Sequence, residues 1–541
     1  MRQEPKTFAD AYFKTLNRFP SKEAIVSADD GRRYTYEEVQ RQVERFATAL
    51  QMLGCKSGDK VAVWLANCPE WVFAEFACAL LGLIIVPINA RYRAEEAEYV
   101  LKSSGAKILL MQPNFLSNNY LERLHEIGGG KIGKEDRAKI ASLPNLQSIL
   151  LTDGSSIDGT VALRELLESP DRNSTTIDLE DSSLQRQPTD PVLIFWTSGS
   201  TGRPKGAVIP QACIGNVWNW TTFAADITEK DKILTSFPLF YIAGNFWCLL
   251  AAMVKGATLI TTSEFDAKSI MKACEQEGVT VLSGIPTMLK EIVHDPAFQP
   301  SALSTVRVGF FGGASMPPRD IETLIARIGY EHLLQAYGMT ETQGIAISTT
   351  VHDSRELQLT TCGKPLPGFD LKLVDPETKK EIQGQGKGEA WFKGRTHLTY
   401  FEMPSTQLEQ FYSEDGYYRT GDILERRADD RYEFVTRIKD LIKVGGENVA
   451  AAEIERVLKD HPSIFNVQVI GVTDDRKGEI PVAFIELTAD AEALDLNSLQ
   501  SWSSKRMAPF KLPRKIRIMQ PDEWPLTQSA KIARFELEKL L

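Results

Sequence analysis

Between Val192 and Pro210 the chain passes from unbroken apolar residues into glycine, serine and threonine, then back into apolar residues. Gly199, Gly202 and Gly206 allow the backbone to turn its N–H groups inward, the hydroxyls of Thr197, Ser198, Ser200 and Thr201 add donors, and Lys205 adds a positive charge. That combination suits phosphate oxygens. A nucleotide P-loop needs Gly-Lys followed by Ser or Thr opening a helix, whereas Pro204, Lys205 and Gly206 lack the hydroxyl and suit no first helical turn. Val192–Trp196 reads as a buried strand and Ala207–Ile209 as a second strand, so a surface linker does not fit.

Taken as a ten-residue pattern, Thr197–Gly206 resembles the signature of the adenylate-forming acyl-CoA synthetase superfamily. Five further stretches are similar to that superfamily in its order and spacing, extending the resemblance over nearly the whole chain. In Phe311-Gly312-Gly313-Ala314-Ser315, bare backbone after a strand lets a flat purine approach; alone, paired glycines there are usually a turn. For Tyr337-Gly338-Met339-Thr340-Glu341, the resemblance implies that Tyr337 stacks on adenine, Thr340 bonds the α-phosphate and Glu341 holds Mg²⁺. In Tyr418-Arg419-Thr420-Gly421-Asp422 it implies that Asp422 accepts the ribose hydroxyls. Along Arg437–Glu447 it implies a ribose contact for Arg437, a hinge at Lys439, and a coenzyme A passage at Lys443, Gly445, Gly446 and Glu447. In Pro525–Ile532, Lys531 matches the lysine that bridges the substrate carboxylate and the α-phosphate, where its charge steadies growing negative charge. Departures from the family pattern are Ala530 for a usual glycine, Tyr241 for a common histidine at the acyl pocket mouth, and the less usual Trp196 and Thr436.

The resemblance implies an ATP-dependent acyl-CoA ligase working in two steps, similar to the carnitine-CoA and medium-chain acyl-CoA ligase branches. A carboxylate attacks the α-phosphate of Mg·ATP to give an acyl-adenylate and pyrophosphate. The C-terminal domain then swings about Lys439, removing Lys531 and bringing Gly446 to the site, and coenzyme A displaces AMP. From Lys232 to Ser263 there is no Asp or Glu, which disfavours pairing with an α-ammonium group. Tyr241, Ile242, Phe246 and Trp247 offer an aromatic, apolar acyl lining, although about half of such residues simply pack a core. An aliphatic, alicyclic or aromatic acid is therefore expected. A ligase that loads a separate carrier protein would share these motifs, and a non-catalytic nucleotide-binding regulator would have lost groups that are present here: Glu341, Asp422, Arg437 and Lys531.

The elements that must position these residues follow from hydrophobic period. Thr35 with Glu38 forms a capping box before a helix carrying Val39, Val43, Phe46, Ala47 and Leu50. Lys60–Leu65 reads as a strand, Glu70–Leu81 as a buried helix and Leu83–Val86 as a strand, a βαβ alternation that resumes after the phosphate loop. Ser117–Leu143, with Gly128-Gly129-Gly130, reads as a solvent-exposed excursion. Beyond Gly363, short strands separated by turns, one at Asp429-Asp430, suggest a small antiparallel, barrel-like section. The expected fold is α/β: an N-terminal domain of βαβ subdomains plus the barrel-like section over residues 1–437, then a smaller mobile α+β domain over 438–541.

Composition sets limits. A hydrophobic content of 43% and a charged content of 25% are those of an ordinary globular chain, and a net charge of −10 disfavours a general nucleic-acid binder. Seven scattered cysteines without a C-x-x-C pair, and dispersed histidines, point to free thiols in a reducing compartment and to no zinc site. No apolar run reaches the roughly 20 residues of a membrane span, and the N-terminus lacks a secretory signal's apolar core. A cytoplasmic enzyme is expected, with a small carboxylic acid, ATP and coenzyme A as partners and a homodimer left open. The basic cluster Lys505, Arg506, Lys511, Arg514, Lys515 and Arg517 reads as a solvated face more readily than as a phosphate contact.

Overall fold

The computed structural model describes residues 4–135, 137–168, 186–197, 204–235, 237–395, 399–444, 447–474, 478–491, 493–526 and 532–541, with no account of the side chains of 447 and 448. The chain divides into two compact units, Met1–Asp370 with Lys393–Gln410, and Leu371–Phe392 with Phe411–Leu541.

In the first unit the expected capping box is formed: Thr35 Oγ1 accepts from the Glu38 N–H, and Glu38 Oε2 accepts from the Thr35 N–H at 2.8 Å. The helix it starts, Tyr36–Met52, buries Val39, Val43, Phe46 and Leu50. Strands Lys60–Trp64 and Ile84–Pro87 pair in parallel across the intervening helix Pro69–Leu81. They lie within an eight-stranded sheet running from Val161–Ala162 through Ser148–Leu151, Ile108–Met111, Lys60–Trp64, Ile84–Pro87, Pro191–Thr197 and Lys205–Pro210 to Thr399–Tyr400. Pairing is parallel up to Pro191–Thr197, and the last two strands run antiparallel. Strand Val308–Phe311 pairs in parallel with His332–Met339 in a second sheet. Val281 forms single parallel bridges to Ile233 and to Val308.

One expectation is corrected. The stretch from 117 to 143 is no exposed excursion: it contains helix Tyr120–Ile127 and buries Asn118, Tyr120, Leu124, Ile132, Ile140 and Leu143. Tyr120 stacks on Trp64 at 4.1 Å and donates its hydroxyl to the Ala90 carbonyl at 2.7 Å. The glycines that suggested exposure follow the helix, where Gly129 and Gly130 take positive φ, while the apolar residues around them cover one face of the large sheet.

The second unit contains the expected antiparallel section, Phe369–Val374, Gly386–Gly394, Tyr418–Arg426 and Tyr432–Arg437. Asp430 takes the positive φ of its hairpin turn. A further sheet carries strands Leu441–Val444, Glu447–Ala450, Ile464–Asp474, Gly478–Leu487 and Lys515–Ile518, with helices Ala451–Leu458 and Leu496–Ser503.

Helix Pro69–Leu81 is buried on every side and still carries an acid, Glu75, with no exposed surface. Its Oε2 accepts from Trp71 Nε1 at 2.9 Å and from Asn245 Nδ2 at 2.6 Å, and Asn245 opens the π-helical turn Asn245–Leu250. Burial pushes the carboxyl up to about 7, against the opposing pull of those two donors. Because the folded value lies above the unfolded value of 4.5, the unfolded chain sheds this proton first and stability falls as pH rises between them. Relative to Glu75→Gln, the wild-type chain should lose roughly 3 kcal/mol of unfolding free energy from about pH 4.5 to pH 7.5. Urea titrations at a series of pH values measure this; a difference that stays flat with pH would mean that Glu75 does not titrate in this range.

Candidate active site

The two strands read on either side of the loop are present as Pro191–Thr197 and Lys205–Pro210; they pair antiparallel as a hairpin whose last pair is Thr197 with Lys205. Lys205 and Gly206 therefore belong to the returning strand. A Cβ at Gly206 would stand 2.8 Å from Ile194 Cγ2, so this glycine serves close packing across the hairpin, in addition to any freedom it gives the loop. Thr197 Oγ1 donates to the Lys205 carbonyl at 3.4 Å, and Tyr99 donates to the Pro204 carbonyl at 3.0 Å. Ser198, Gly199, Ser200, Thr201 and Gly202 lie outside the described residues.

Because Val308–Phe311 and His332–Met339 are parallel neighbours, the loop after the first lies beside the end of the second. Gly312 has no room for a side chain, since a Cβ would meet the Ala336 carbonyl at 2.7 Å. Gly313, Ala314 and Ser315 are exposed, and Tyr337 is buried. This is the carboxyl edge of parallel strands, where α/β folds bind ligands. Gly338 is required by a still closer approach, 1.9 Å from the Gly344 carbonyl to a built Cβ. Met339 leads into the 3₁₀ turn Thr340–Thr342, which reverses through Gln343 and Gly344, both at positive φ. Buried Asn216 anchors the turn by donating to the carbonyls of Gln343 at 2.9 Å and Ile345 at 3.2 Å.

Thr340 and Glu341 are half-buried on this turn. Tyr400 donates its hydroxyl to Glu341 Oε1 at 2.8 Å, and its backbone pairs with Ala207 on the phosphate hairpin. Lys205 Nζ lies 5.6 Å from the Tyr400 ring centre, within cation–π range. The first unit thus brings Thr197, Lys205 and Glu341 into one neighbourhood. The donor set there, one carboxylate and the Thr340 hydroxyl, is hard oxygen and fits a magnesium ion whose other ligands are phosphate and water. Among the described residues no group of three or more His, Cys, Asp or Glu could form a dedicated cage.

In the second unit, Asp422 and Arg437 are direct cross-strand partners, and Arg437 Nε lies 3.1 Å from Asp422 Oδ1. The Asp422 side chain is 3% exposed and that of Arg437 50%. A carboxylate accepts about four hydrogen bonds, so this pairing leaves capacity for a diol. Lys439 is exposed on the 3₁₀ turn Ile438–Asp440, and Lys443 is exposed on the following strand, its N–H donating to Glu479 Oε2 at 2.6 Å. Arg534 Nη2 grips both oxygens of Glu455 at 2.8 Å, while its Nη1 lies 3.8 Å from Asp440 Oδ2 on the same turn. Lys531, Gly445 and Gly446 lie outside the described residues, as does the side chain of Glu447; a bridge between Leu526 and Ile532 flanks the Lys531 segment.

Of the expected acyl lining, Tyr241 and Ile242 are half-buried, whereas Phe246 and Trp247 are core residues. Phe246 packs edge-on to Phe195, and Trp247 to Trp220 and Phe310. The Tyr241 hydroxyl accepts from Asn89 Nδ2 at 2.9 Å, and burial raises its pKa. The acid-free stretch 232–263 is approached by an acid after all, Glu75 at Asn245, whose carboxyl burial pushes up to about 7. Sequence reading passes over Tyr400, Asn216 and Glu75. Their partners lie 59, 127 and 170 positions away, and only the isolated charge of Glu75 in an apolar helix was a signal.

The chain belongs to the AMP-binding enzyme family, which matches residues 12–400, with the family's C-terminal domain matching residues 453–531. It is 30% identical over 528 residues to the putative acyl-CoA synthetase YngI of Bacillus subtilis, covering 97% of this chain and 95% of that protein. It is also 30% identical over 540 residues to the human mitochondrial medium-chain acyl-CoA ligase ACSF2, covering 99% and 87%. The fold is shared with an anthranilate CoA ligase solved with anthranoyl-AMP, at a TM-score of 0.86, 24% identity and coverage of 100% and 98%. The ATP-bound MatB of Rhodopseudomonas palustris gives a TM-score of 0.84 at 24% identity, covering 98% of each chain.

Phe246→Ala should lower unfolding free energy by about 3–5 kcal/mol, as for a core aromatic. Tyr241→Phe, which removes one partner of Asn89, should lower it by about 1–2 kcal/mol. Urea unfolding measures both, and the reverse order would take Phe246 out of the core.

Proposed function

We propose that the chain activates an apolar carboxylic acid with ATP and transfers the acyl group to coenzyme A. Family membership makes it an AMP-forming acid–CoA ligase that uses ATP. The observation that carries the finer reading is Tyr400, which donates its hydroxyl to Glu341 and has Lys205 Nζ 5.6 Å from its ring centre, so that a cation and an acid flank one side chain. The support for an apolar acid is the absence of Asp and Glu from Lys232 to Ser263 and the half-buried faces of Tyr241 and Ile242. The medium-chain acyl-CoA ligases among the relatives agree with that class.

In this reading Thr197 and Lys205 hold the departing pyrophosphate, while Thr340 bonds the α-phosphate and Glu341 helps to hold Mg²⁺. The ion, when bound, neutralises phosphate charge and orients its oxygens. Tyr337 and Gly313–Ser315 border the adenine, and Asp422 with Arg437 takes the ribose. Lys531 steadies charge as the carboxylate oxygen bonds phosphorus and the bond to pyrophosphate breaks. Thiol transfer, with AMP leaving, is assigned to Lys443, Gly445, Gly446 and Glu447, with Lys439 as the hinge of a domain beginning at Ile438. All seven cysteines are free, and among the described residues no helix is long and apolar enough to cross a membrane.

Incubation with ATP, Mg²⁺ and a panel of acids, with and without coenzyme A, tests the reading through AMP and thioester release. Apolar monocarboxylic acids should release AMP only with coenzyme A, and Lys531→Ala should lower adenylation by about 100-fold or more, as for loss of a charge aimed at the transition state. AMP release that ignores coenzyme A but follows an added carrier protein would move the acceptor to that protein. Preference for amino acids would overturn the substrate class.

A further inference from the structure

The carboxylate of Glu341 extends from a turn of three residues, Thr340–Thr342, and the turn's anchors all act on its backbone or on Thr342. Thr342 Oγ1 donates to the Gly344 carbonyl at 2.7 Å and accepts from the Met339 N–H at 3.0 Å, and Asn216 holds the carbonyls that follow. None of these fixes where the Glu341 side chain points. Among the described residues that task falls to the Tyr400 hydroxyl, 2.8 Å from Oε1.

Tyr400 is suited to it for three reasons. Its ring is only 6% exposed, so packing locks its rotamer. Its backbone is paired to Ala207, two residues from Lys205, so the hydroxyl is placed relative to the phosphate hairpin. The ring also faces Lys205 Nζ at 5.6 Å, so one side chain references both the cation and the acid. A hydrogen bond to a charged acceptor is about twice as strong as one between neutral groups, and this one engages Oε1 of a carboxylate whose second oxygen has acceptor capacity of its own.

We infer that Tyr400 is a positioning residue for the metal: by holding Glu341 Oε1 against the phosphate hairpin, it presents Oε2 to the divalent cation that accompanies the nucleotide. The inference rests on the functional reading of Glu341 as the metal-holding acid. It makes no contact between Tyr400 and the reacting atoms, so its effect falls on metal affinity and on the geometry of the metal–phosphate complex.

The test measures Mn²⁺ binding by electron paramagnetic resonance with the full chain and the α,β-methylene analogue of ATP, together with the Mg²⁺ dependence of acid-driven pyrophosphate release. Tyr400→Phe keeps the ring and should raise the Mn²⁺ dissociation constant and the Mg²⁺ activation constant in parallel, by roughly 10- to 100-fold, as for loss of a charge-assisted hydrogen bond to a metal-holding acid. The KM for the acid should move by less than about twofold, because a positioning effect is confined to the metal. In a Glu341→Gln background the same substitution should shift the metal constants no further. If Glu341→Gln shifts them and Tyr400→Phe does not, Tyr400 only packs beside the acid and the inference is overturned while the functional reading stands. If Glu341→Gln leaves them unchanged, Glu341 is no metal residue and the reading falls with the inference. Urea unfolding of each variant shows that it is folded, and a Tyr400→Phe effect spread equally over metal, acid and stability would make Tyr400 a structural residue and contradict the inference.

Discussion

A parallel sheet carries its ligands at the carboxyl ends of its strands, and the large sheet here ends with a reversal: Pro191–Thr197 runs with its parallel neighbour, and Lys205–Pro210 returns beside it. The pair Thr197–Lys205 is where that reversal begins, so whatever binds the loop is referenced to the sheet through these two residues. Both ends are secured by bare backbone and by a short added strand. Gly206 lets the returning strand lie against Ile194, and Thr399–Tyr400 then completes the edge, bringing the Tyr400 hydroxyl to Glu341. Much of the chemistry in the first unit thus depends on one antiparallel strand pair at the edge of a parallel sheet.

The polar groups buried behind this arrangement do positional work. Asn216 reaches from helix Cys213–Asn219 to the carbonyls after Glu341, in a place where water could not satisfy them. Glu75 and Asn245 join two otherwise apolar helices at the start of a π-helical turn, a feature common near functional sites. In the second unit, Arg534 binds Glu455 through two bonds and lies near Asp440, tying the chain just beyond Ile532 to the turn that carries Lys439.

What was legible in the sequence was local. The Thr35–Glu38 capping box, the strand–loop–strand around Lys205 and the Asp429-Asp430 turn each depend on residues within a few positions of one another, and each is present. The order of motifs made the family legible as well, because it depends on spacing along the chain. Contacts across the fold were not legible. Nothing near Tyr400 in sequence announces Glu341, since the strand pairing that joins them is set by topology; nor does an acid-free stretch reveal the acid that another helix brings to it. The misread segment 117–143 shows the same limit: triple glycine marks a turn, but burial is decided by the sheet face that the neighbouring Tyr120, Ile132 and Ile140 find.

In the proposed reaction a carboxylic acid and ATP form a bound acyl-adenylate before any thiol is involved. Exchange of labelled pyrophosphate into ATP, measured without coenzyme A, reads that step alone. Exchange should require both Mg²⁺ and an apolar acid, proceed in the complete absence of thiol, and be carried by the acids that support thioester formation. Exchange that appears only when coenzyme A is added, or that is the same with and without acid, would contradict that reaction.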